Sequence, residues 1–296
     1  MATKTVSFGT YPQNLVTDGA IVSALGGYDS TWHAFPYVCG TVEEKKVPLF
    51  EDYMYYTDKT LNGKQYRGVY FTAYRADVPF LPGWKPNSRQ YYNGYPQDTV
   101  FWFEYAPIVW DVVGKTQGGN VLVSQKVLDS QEFFFYADSN AKTRKDYQGN
   151  CGNVMDCNYQ FSSIRGWLNT HFFNTAFGKT EQRKILQTTQ DNSPQSTKVP
   201  TNPYCCANTS DKVFLLSVEE VEQYFPEAPQ RLKFATDYAK CQNAWIFKTG
   251  HCALWWLRSP YQLYGSSAKQ IFYNGKVESG GAFSSNVGVV PAIVVQ

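Results

Sequence analysis

The sequence predicts an α+β fold, because strand signals at both ends of the chain enclose a helical middle. Three observations support this prediction: Asn-Gly turns between aromatic runs near the N terminus, two amphipathic patterns in the middle, and a long apolar run at the end. We expect one domain over residues 1–296, with a strand-rich part (1–110), a helical middle (111–250) holding a long loop near 188–211, and a C-terminal segment (251–296). Strands at both ends imply that the first and last segments pair.

Two Asn-Gly dipeptides mark turns in the N-terminal part. Asn62-Gly63 lies between two aromatic runs and readily takes the left-handed backbone angles of a tight hairpin, and Asn93-Gly94 offers a second turn. The run TVFWFEYAPIVWDVV that follows is rich in aromatic and β-branched residues, so we expect a strand with Pro107 at an edge or a bulge. The Pro- and Gly-rich stretch 80–98 is predicted to be an ordered loop.

The middle of the chain carries the helix signals. SSIRGWLNTHFFNTAF places apolar residues and one histidine on a single helical face, with Ser162 or Ser163 as N-cap. Ser217 is followed three residues later by Glu220, a capping box that predicts a second helix, and TDYAKCQ (236–242) predicts a short third one. The residues of the first helical face are Ile164, Trp167, Leu168, His171 and Phe172.

The C-terminal end returns to strands. QIFYNGKVE predicts a hairpin around Asn274-Gly275. VGVVPAIVV is a continuous apolar run typical of a central strand, in which Pro291 removes one ladder hydrogen bond.

Charge and hydropathy exclude several classes of partner. With 27 Lys and Arg against 25 Asp and Glu, the net charge of +2 gives no excess of the kind that drives binding to nucleic acid or anionic membranes. No run of about 18 apolar residues predicts a membrane span. The first residues lack the apolar core of a secretion signal. The location stays open between a phage particle, a cell surface reached by another export route, and the cytoplasm.

Cysteine and histidine spacing predicts neither a metal site nor a cofactor. The seven cysteines are irregularly spaced, which indicates reduced thiols, and the three histidines lack the spacing of metal ligands. Cys205-Cys206 and His251-Cys252 are the places to look for a thiol nucleophile, but adjacency in sequence does not lower a thiol pKa. We therefore expect structural thiols and no catalytic residue. The other cysteines are Cys39, Cys151, Cys157 and Cys241.

The stretch from Trp255 to Gln296 combines two compositions. Trp255, Trp256 and Arg258 at its start, and the apolar run at its end, predict a structural frame. Between them, Tyr and Phe mix with Ser, Gly and Asn, as in binding loops, where aromatic rings supply contact area and small polar residues supply adaptable hydrogen bonds. Composition alone leaves two alternatives open: a loop that covers the core, or a binding surface.

Several motifs in order resemble one family. VSFGTYPQ, YRGVYFTAYR, VLDSQEF, SSIRGWLNTHFFNTAF, WWLRSP and GVVPA are similar to the signature FGxYPQ, S-x-IR-x-WLN, WWLRS and GVRPA of a large family of unknown function from gut Firmicutes and phages. Val290 departs from that signature, which has Arg at this position. The resemblance implies a C-type lectin-like fold of the formylglycine-generating-enzyme branch, with twisted antiparallel sheets, flanking helices and long loops at one ligand-facing end. No pair of cysteines matches those oxidases residue by residue.

A second resemblance is to the variable proteins of diversity-generating retroelements, which use the same fold and vary at the C terminus. Adenine-directed mutagenesis turns Asn codons into codons for Tyr, Ser, Gly, Phe, Leu and others, and the segment between Arg258 and Gly288 is dense in these residues. Gln262, Gln270 and Glu278 would need other codons. The ligand-binding residues implied are Tyr261, Gln262, Leu263, Tyr264, Ser266, Ser267, Gln270, Tyr273, Glu278, Phe283, Ser284, Ser285 and Asn286.

These observations together predict a non-enzymatic binding or display protein whose C-terminal segment recognises a protein or glycan on a cell surface. Two alternatives stay open. One is an enzyme related to the formylglycine-generating oxidases, using Cys252 or a metal. The other is a structural module of a phage or cell envelope, which would bind a fixed sibling protein. The oligomeric state has no signature in the sequence.

Overall fold

The computed structural model describes residues 4–36, 38, 40–42, 47–49, 51–78, 88–116, 118–135, 158–247 and 252–296. The predicted loop at 80–98 is described only from residue 88 onward. Cys39, Cys151, Cys157 and His251 lie outside the described residues.

An eight-stranded antiparallel sheet contains both the first and the last strand of the chain. Its order is β12-β17-β8-β7-β6-β5-β2, with β1 paired to β7. The strands are β1 Thr5–Leu15, β2 His33–Ala34, β5 Met54–Leu61, β6 Lys64–Phe71, β7 Phe101–Lys115, β8 Asn120–Ser124, β12 Val213–Phe214 and β17 Ala292–Val295. The expected pairing of the first and last segments is wrong: β17 pairs with β8 and β12, so β7 and β8 separate it from β1.

A five-stranded sheet holds most of the C-terminal segment. Its order is β15-β14-β13-β16-β9, and all pairs are antiparallel except β13 with β16. Its strands are β9 Asp129–Ser130, β13 Trp255–Pro260, β14 Ser267–Ile271, β15 Val277–Gly281 and β16 Gly288–Val289. Two small sheets pair β3 Gly40–Val42 with β4 Val47–Leu49, and β10 Thr188–Gln190 with β11 Thr209–Asp211. The predicted 188–211 loop is therefore closed by a short ladder at its two ends.

The apolar run at the C terminus is two strands and not one. β16 belongs to the five-stranded sheet and β17 to the eight-stranded sheet, and the chain crosses between them at Pro291. Proline has no N–H to donate to a ladder, so Pro291 separates the two strands. The Pro291 carbonyl still accepts a hydrogen bond from the Ser124 amide at 3.0 Å.

The described part of the chain contains the three helices that the sequence predicts and three that it does not. They are α1 Gly19–Leu25, α2 Arg89–Tyr92, α3, which runs from Ser163–Trp167 through Leu168–Phe172 to Phe173–Ala176, α4 Lys179–Lys184, α5 Val218–Tyr224 and α6 Asp237–Cys241. Single 3₁₀ turns occur at Tyr159–Phe161, Pro194–Thr197 and Ala228–Arg231. The Ser162 N-cap and the Ser217–Glu220 capping box are both confirmed.

The prediction that His171 lies on the buried face of α3 is wrong. Leu168–Phe172 forms a π-helical turn, which widens the helix and shifts the following side chains around its axis. Phe172 and Phe173 are consequently buried together, and His171 is exposed.

The Asn-Gly hairpin and the bulge are also confirmed. Asn62 and Gly63 have positive φ angles of 51° and 77° and connect β5 to β6. Pro107 pairs with Thr10 beside a register shift of β1. Its position inside β7 is tolerated because that irregularity already interrupts the ladder.

Candidate ligand-binding surface

The frame of the C-terminal segment is strand β13, in which all six residues are buried. Its two indoles each find a hydrogen-bond acceptor, because Trp255 Nε1 donates to the Arg231 carbonyl at 3.0 Å and Trp256 Nε1 donates to the Gln131 carbonyl at 2.7 Å. Buried tryptophan needs such acceptors. These hydrogen bonds attach the strand to the segments around Arg231 and Gln131.

Arg258 ties β13 to the start of α5. Its guanidinium donates to both carboxylate oxygens of Glu220 and to the carbonyls of Leu215 (2.8 Å) and Asp191 (3.1 Å). The same Glu220 carboxylate accepts the Ser217 amide at 2.9 Å, which completes the helix cap. Ser259 extends the attachment, since its hydroxyl accepts the Val218 amide at 3.0 Å.

The largest exposed group of predicted ligand-binding residues is the connection between β13 and β14. Leu263 and Tyr264 are 61% and 63% exposed. The Tyr261 and Tyr264 rings lie 5.8 Å apart, and the Lys269 ammonium lies 4.7 Å from the Tyr261 ring. The 281–284 turn joins this group through the hydrogen bond from the Ala282 amide to the Ser266 carbonyl at 2.9 Å. We call this the loop surface: Tyr261, Gln262, Leu263, Tyr264, Ser266, Ser267 and Ser284.

Tyr273 lies in a second place, in the hairpin loop at the opposite end of β14. Five strand residues at about 3.3 Å each separate the two places by roughly 17 Å along the strand. The Tyr273 ring lies 4.2 Å from that of Phe247, which stacks on Trp245 at 5.2 Å. Glu278 is exposed on β15, across the ladder from Gln270.

Residues that the sequence analysis did not select extend the environment of Tyr273. The Arg89 guanidinium lies 3.8 Å from the Trp245 ring and 5.6 Å from the Tyr92 ring. Tyr91 and Tyr92 are the most exposed side chains of this environment. A doubled Tyr beside the Asn93-Gly94 turn is the signal that could have indicated them. We call this set the aromatic strip: Tyr74, Arg89, Tyr91, Tyr92, Trp245, Phe247, Phe272 and Tyr273.

Four predicted ligand-binding residues are buried: Gln270, Phe283, Ser285 and Asn286. The Ser285 hydroxyl donates to the Ala76 carbonyl at 2.6 Å and accepts from Asn243 Nδ2 at 2.8 Å. The Asn286 carbonyl accepts the Trp245 amide at 2.8 Å. The expectation that these four side chains face solvent is wrong. Phe283, Ser285 and Asn286 lie in the 281–287 turn, which folds inward against the segment around residue 77, and Gln270 is buried within strand β14.

The four cysteines that the structure describes lie in environments that disfavour a nucleophile. Burial raises the pKa of Cys205 to about 11 and raises the pKa of Cys206, Cys241 and Cys252. A thiol activated for attack has a lowered pKa. The raised pKa of Cys252 therefore gives no support to the oxidase alternative.

Within the described ranges, no three His, Cys, Asp or Glu side chains are grouped so that they could hold a metal ion. No helix in the same part of the chain combines the length and apolar character needed to cross a membrane.

Comparison with known protein families gives a match. Neither the curated proteins nor the solved structures contain a significant match. The model of a family described as a domain of unknown function, DUF6273, matches residues 118–296. This match covers more than half of the chain, starts just before β8, and includes the loop surface and the frame that carries it. The chain belongs to the DUF6273 family.

Proposed function

We propose that this protein is a non-enzymatic binding protein that recognises a protein or glycan on a cell surface. The observation that supports the proposal most is the position of Leu263 and Tyr264, 61% and 63% exposed, directly after a strand with no exposed residue. Large apolar side chains held in water by a rigid frame are typical of recognition surfaces.

The polar residues of the loop surface suit the same role. Gln262, Ser266, Ser267 and Ser284 are partly exposed around the aromatic side chains. Short hydroxyl and amide groups can donate and accept hydrogen bonds in many orientations. The aromatic strip, with Arg89 among its rings, offers a second place of contact for a large ligand.

We extend the proposal to the fold family and to diversification. The mixed antiparallel architecture is compatible with a C-type lectin-like fold, and we propose that the exposed positions are those a retroelement varies. The burial of Gln270, Phe283, Ser285 and Asn286 supports limiting variation to the exposed positions. Substitution of an exposed residue changes the free energy of unfolding by about 0.5 kcal/mol or less, whereas substitution of a buried residue costs more.

The binding proposal is tested with the fluorescently labelled protein on a panel of bacterial and mammalian cells. Cells treated with protease or with periodate separate a protein ligand from a glycan. We expect the double variant Leu263→Ser, Tyr264→Ser to lose about tenfold or more in affinity, since removing central apolar anchors has effects of this size. The matched control is Phe234→Ser, which removes an aromatic side chain that is 55% exposed outside both surfaces. Equal binding by the double variant and wild type contradicts the proposal.

The diversification proposal is tested in the DNA beside the gene. We expect a near-copy of the segment that encodes residues 258–290, with mismatches concentrated at adenines and a reverse-transcriptase reading frame nearby. A complete genome that contains no such copy contradicts it. Binding restricted to one sibling protein of a phage or envelope would instead favour the structural-module alternative.

A further inference from the structure

A narrow cleft lies outside the loop surface and the aromatic strip, and residues from distant parts of the chain line it. The residues that matter for its chemistry are Tyr11, Arg67, Asp129, Gln131, Trp167 and His171. The cavity measures about 40 Å³, room for roughly three water molecules. It would therefore accept one small group at the end of a ligand.

Asp129 is at the centre of the hydrogen bonds in this cleft. Its Oδ2 accepts the Tyr11 hydroxyl at 2.6 Å, and its Oδ1 accepts the Ser130 amide at 2.7 Å and Gln131 Nε2 at 3.0 Å. Burial raises the pKa of this carboxyl, and the three donors oppose that rise. Its acceptor capacity is thus largely used by the protein itself.

Gln131 has an unused acceptor. Because Nε2 donates to the Asp129 carboxylate, the amide orientation is fixed and Oε1 must point away from that carboxylate. The residue is 5% exposed, and Oε1 has no hydrogen-bond partner among the residues that the structure describes. A buried carbonyl oxygen left in this state is unfavourable, so a hydrogen-bond donor from a ligand would stabilise it.

The charges around the cleft favour a neutral ligand. Arg67 donates from Nε and Nη2 to the two oxygens of Asp58 at 2.9 and 2.7 Å, so its charge is neutralised. Partial burial lowers the pKa of His171, with a further contribution from Arg67, which favours neutral imidazole at pH 7. A phosphate or carboxylate would find no unpaired cation among these groups, and an ammonium ion would lie close to the Arg67 guanidinium.

We propose that this cleft binds a neutral hydroxyl-bearing group, the hydroxymethyl or diol end of a carbohydrate. One hydroxyl donates to Gln131 Oε1, and the Trp167 ring packs against the carbon atoms that carry it. Hydroxyls suit the site because each both donates and accepts. Four motif segments quoted for the family resemblance contribute to this cleft: FGTYPQ with Tyr11, YRG with Arg67, VLDSQEF with Asp129 and Gln131, and WLNTHFF with Trp167 and His171.

The test is ligand-observed NMR on the full chain with glycerol and a panel of free monosaccharides. We expect at least one of these compounds to bind and Gln131→Leu to weaken its binding about tenfold, the effect of losing one hydrogen bond to a buried group. The matched control is Gln223→Leu at an exposed position of α5, which should bind as wild type does. If Gln131→Leu does not fold, His171→Trp replaces it, because a larger ring at this exposed lining position should block entry.

Three results would overturn the inference: no binding by any compound of the panel, undiminished binding in both cleft variants, or a preference for inorganic phosphate or methylammonium over the neutral compounds. The double variant of Leu263 and Tyr264 should retain sugar binding at the cleft. Failure of the cleft inference is therefore separable from failure of the proposed cell-surface binding.

Discussion

Arg258 shows how one side chain can hold three parts of the chain. It is buried, it makes a two-pronged contact with Glu220, and it also reaches the carbonyls of Leu215 and Asp191. A planar guanidinium can satisfy these acceptors together, and a lysine ammonium cannot. The residue therefore acts as a structural connector between strand β13 and the cap of α5.

We expect Arg258→Lys to lower the free energy of unfolding by about 3 kcal/mol, because a lysine ammonium cannot replace all the hydrogen bonds to the partly buried Glu220 carboxylate and to the two carbonyls. Urea denaturation followed by tryptophan fluorescence measures this loss. Lys64→Met is the control: it breaks an exposed ion pair with Glu104 (3.0 Å), for which the expected loss is below about 1 kcal/mol. Equal effects of the two substitutions would show that Arg258 is not a connector.

Asp77 should make stability depend on pH. Burial raises the pKa of this carboxyl to about 6, although Arg89 Nε at 2.9 Å and Asn243 Nδ2 at 3.1 Å favour its charged form. As pH rises from about 4 to about 7, the unfolded state releases this proton before the native state does, so the native state loses stability. We expect wild type to lose about 3 kcal/mol relative to Asp77→Asn across that range. The free energy of unfolding of both proteins is measured by urea denaturation at a series of pH values. The same pH dependence in wild type and Asp77→Asn would contradict the raised pKa of Asp77.

Among the elements, two Asn-Gly hairpin turns with the same glycine angle differ in surroundings. Gly63 and Gly275 both have φ of 77°, but a Cβ on Gly63 would meet nothing within 4 Å, whereas one on Gly275 would lie 1.9 Å from the Ala228 carbonyl oxygen. We expect Gly63→Ala to cost about 1 kcal/mol from backbone strain alone. Gly275→Ala should cost at least about 2 kcal/mol more, since the hairpin must move away from its neighbour. Thermal denaturation compares the two variants. Equal melting temperatures would contradict the close approach of Gly275 to the Ala228 carbonyl.

Local signals predicted helices α3, α5 and α6 and the Asn62-Gly63 hairpin, whereas long-range contacts determine how these elements pack. The Ser217–Glu220 cap and the Asn62-Gly63 turn depend on neighbours within four residues, so the sequence is sufficient to identify them. The burial of Ser285 depends on contacts with the 76–77 segment and Asn243, which no local pattern encodes. The cleft was likewise missed, because its hydrogen bond from Tyr11 to Asp129 joins residues 118 positions apart.

At the scale of the whole molecule, the last two strands link the two large sheets. β16 lies between β13 and β9 of the five-stranded sheet, and after two residues β17 begins between β8 and β12 of the eight-stranded sheet. Val290, between these strands, is fully buried. The five-stranded sheet carries the loop surface. The orientation of that surface therefore depends on β17, which lies within the eight-stranded sheet.

Deleting residues 292–296 should therefore unfold the protein and not merely trim it. The deletion removes four buried residues, Ala292–Val295, and leaves β8 and β12 without their shared partner. Burial of three Ile or Val side chains contributes about 6 kcal/mol, which is comparable with the total stability of an ordinary domain. Circular dichroism and size-exclusion chromatography should show loss of the cooperative transition. Removing exposed Gln296 alone should preserve it, and a folded 292–296 deletion would show that the eight-stranded sheet does not depend on β17.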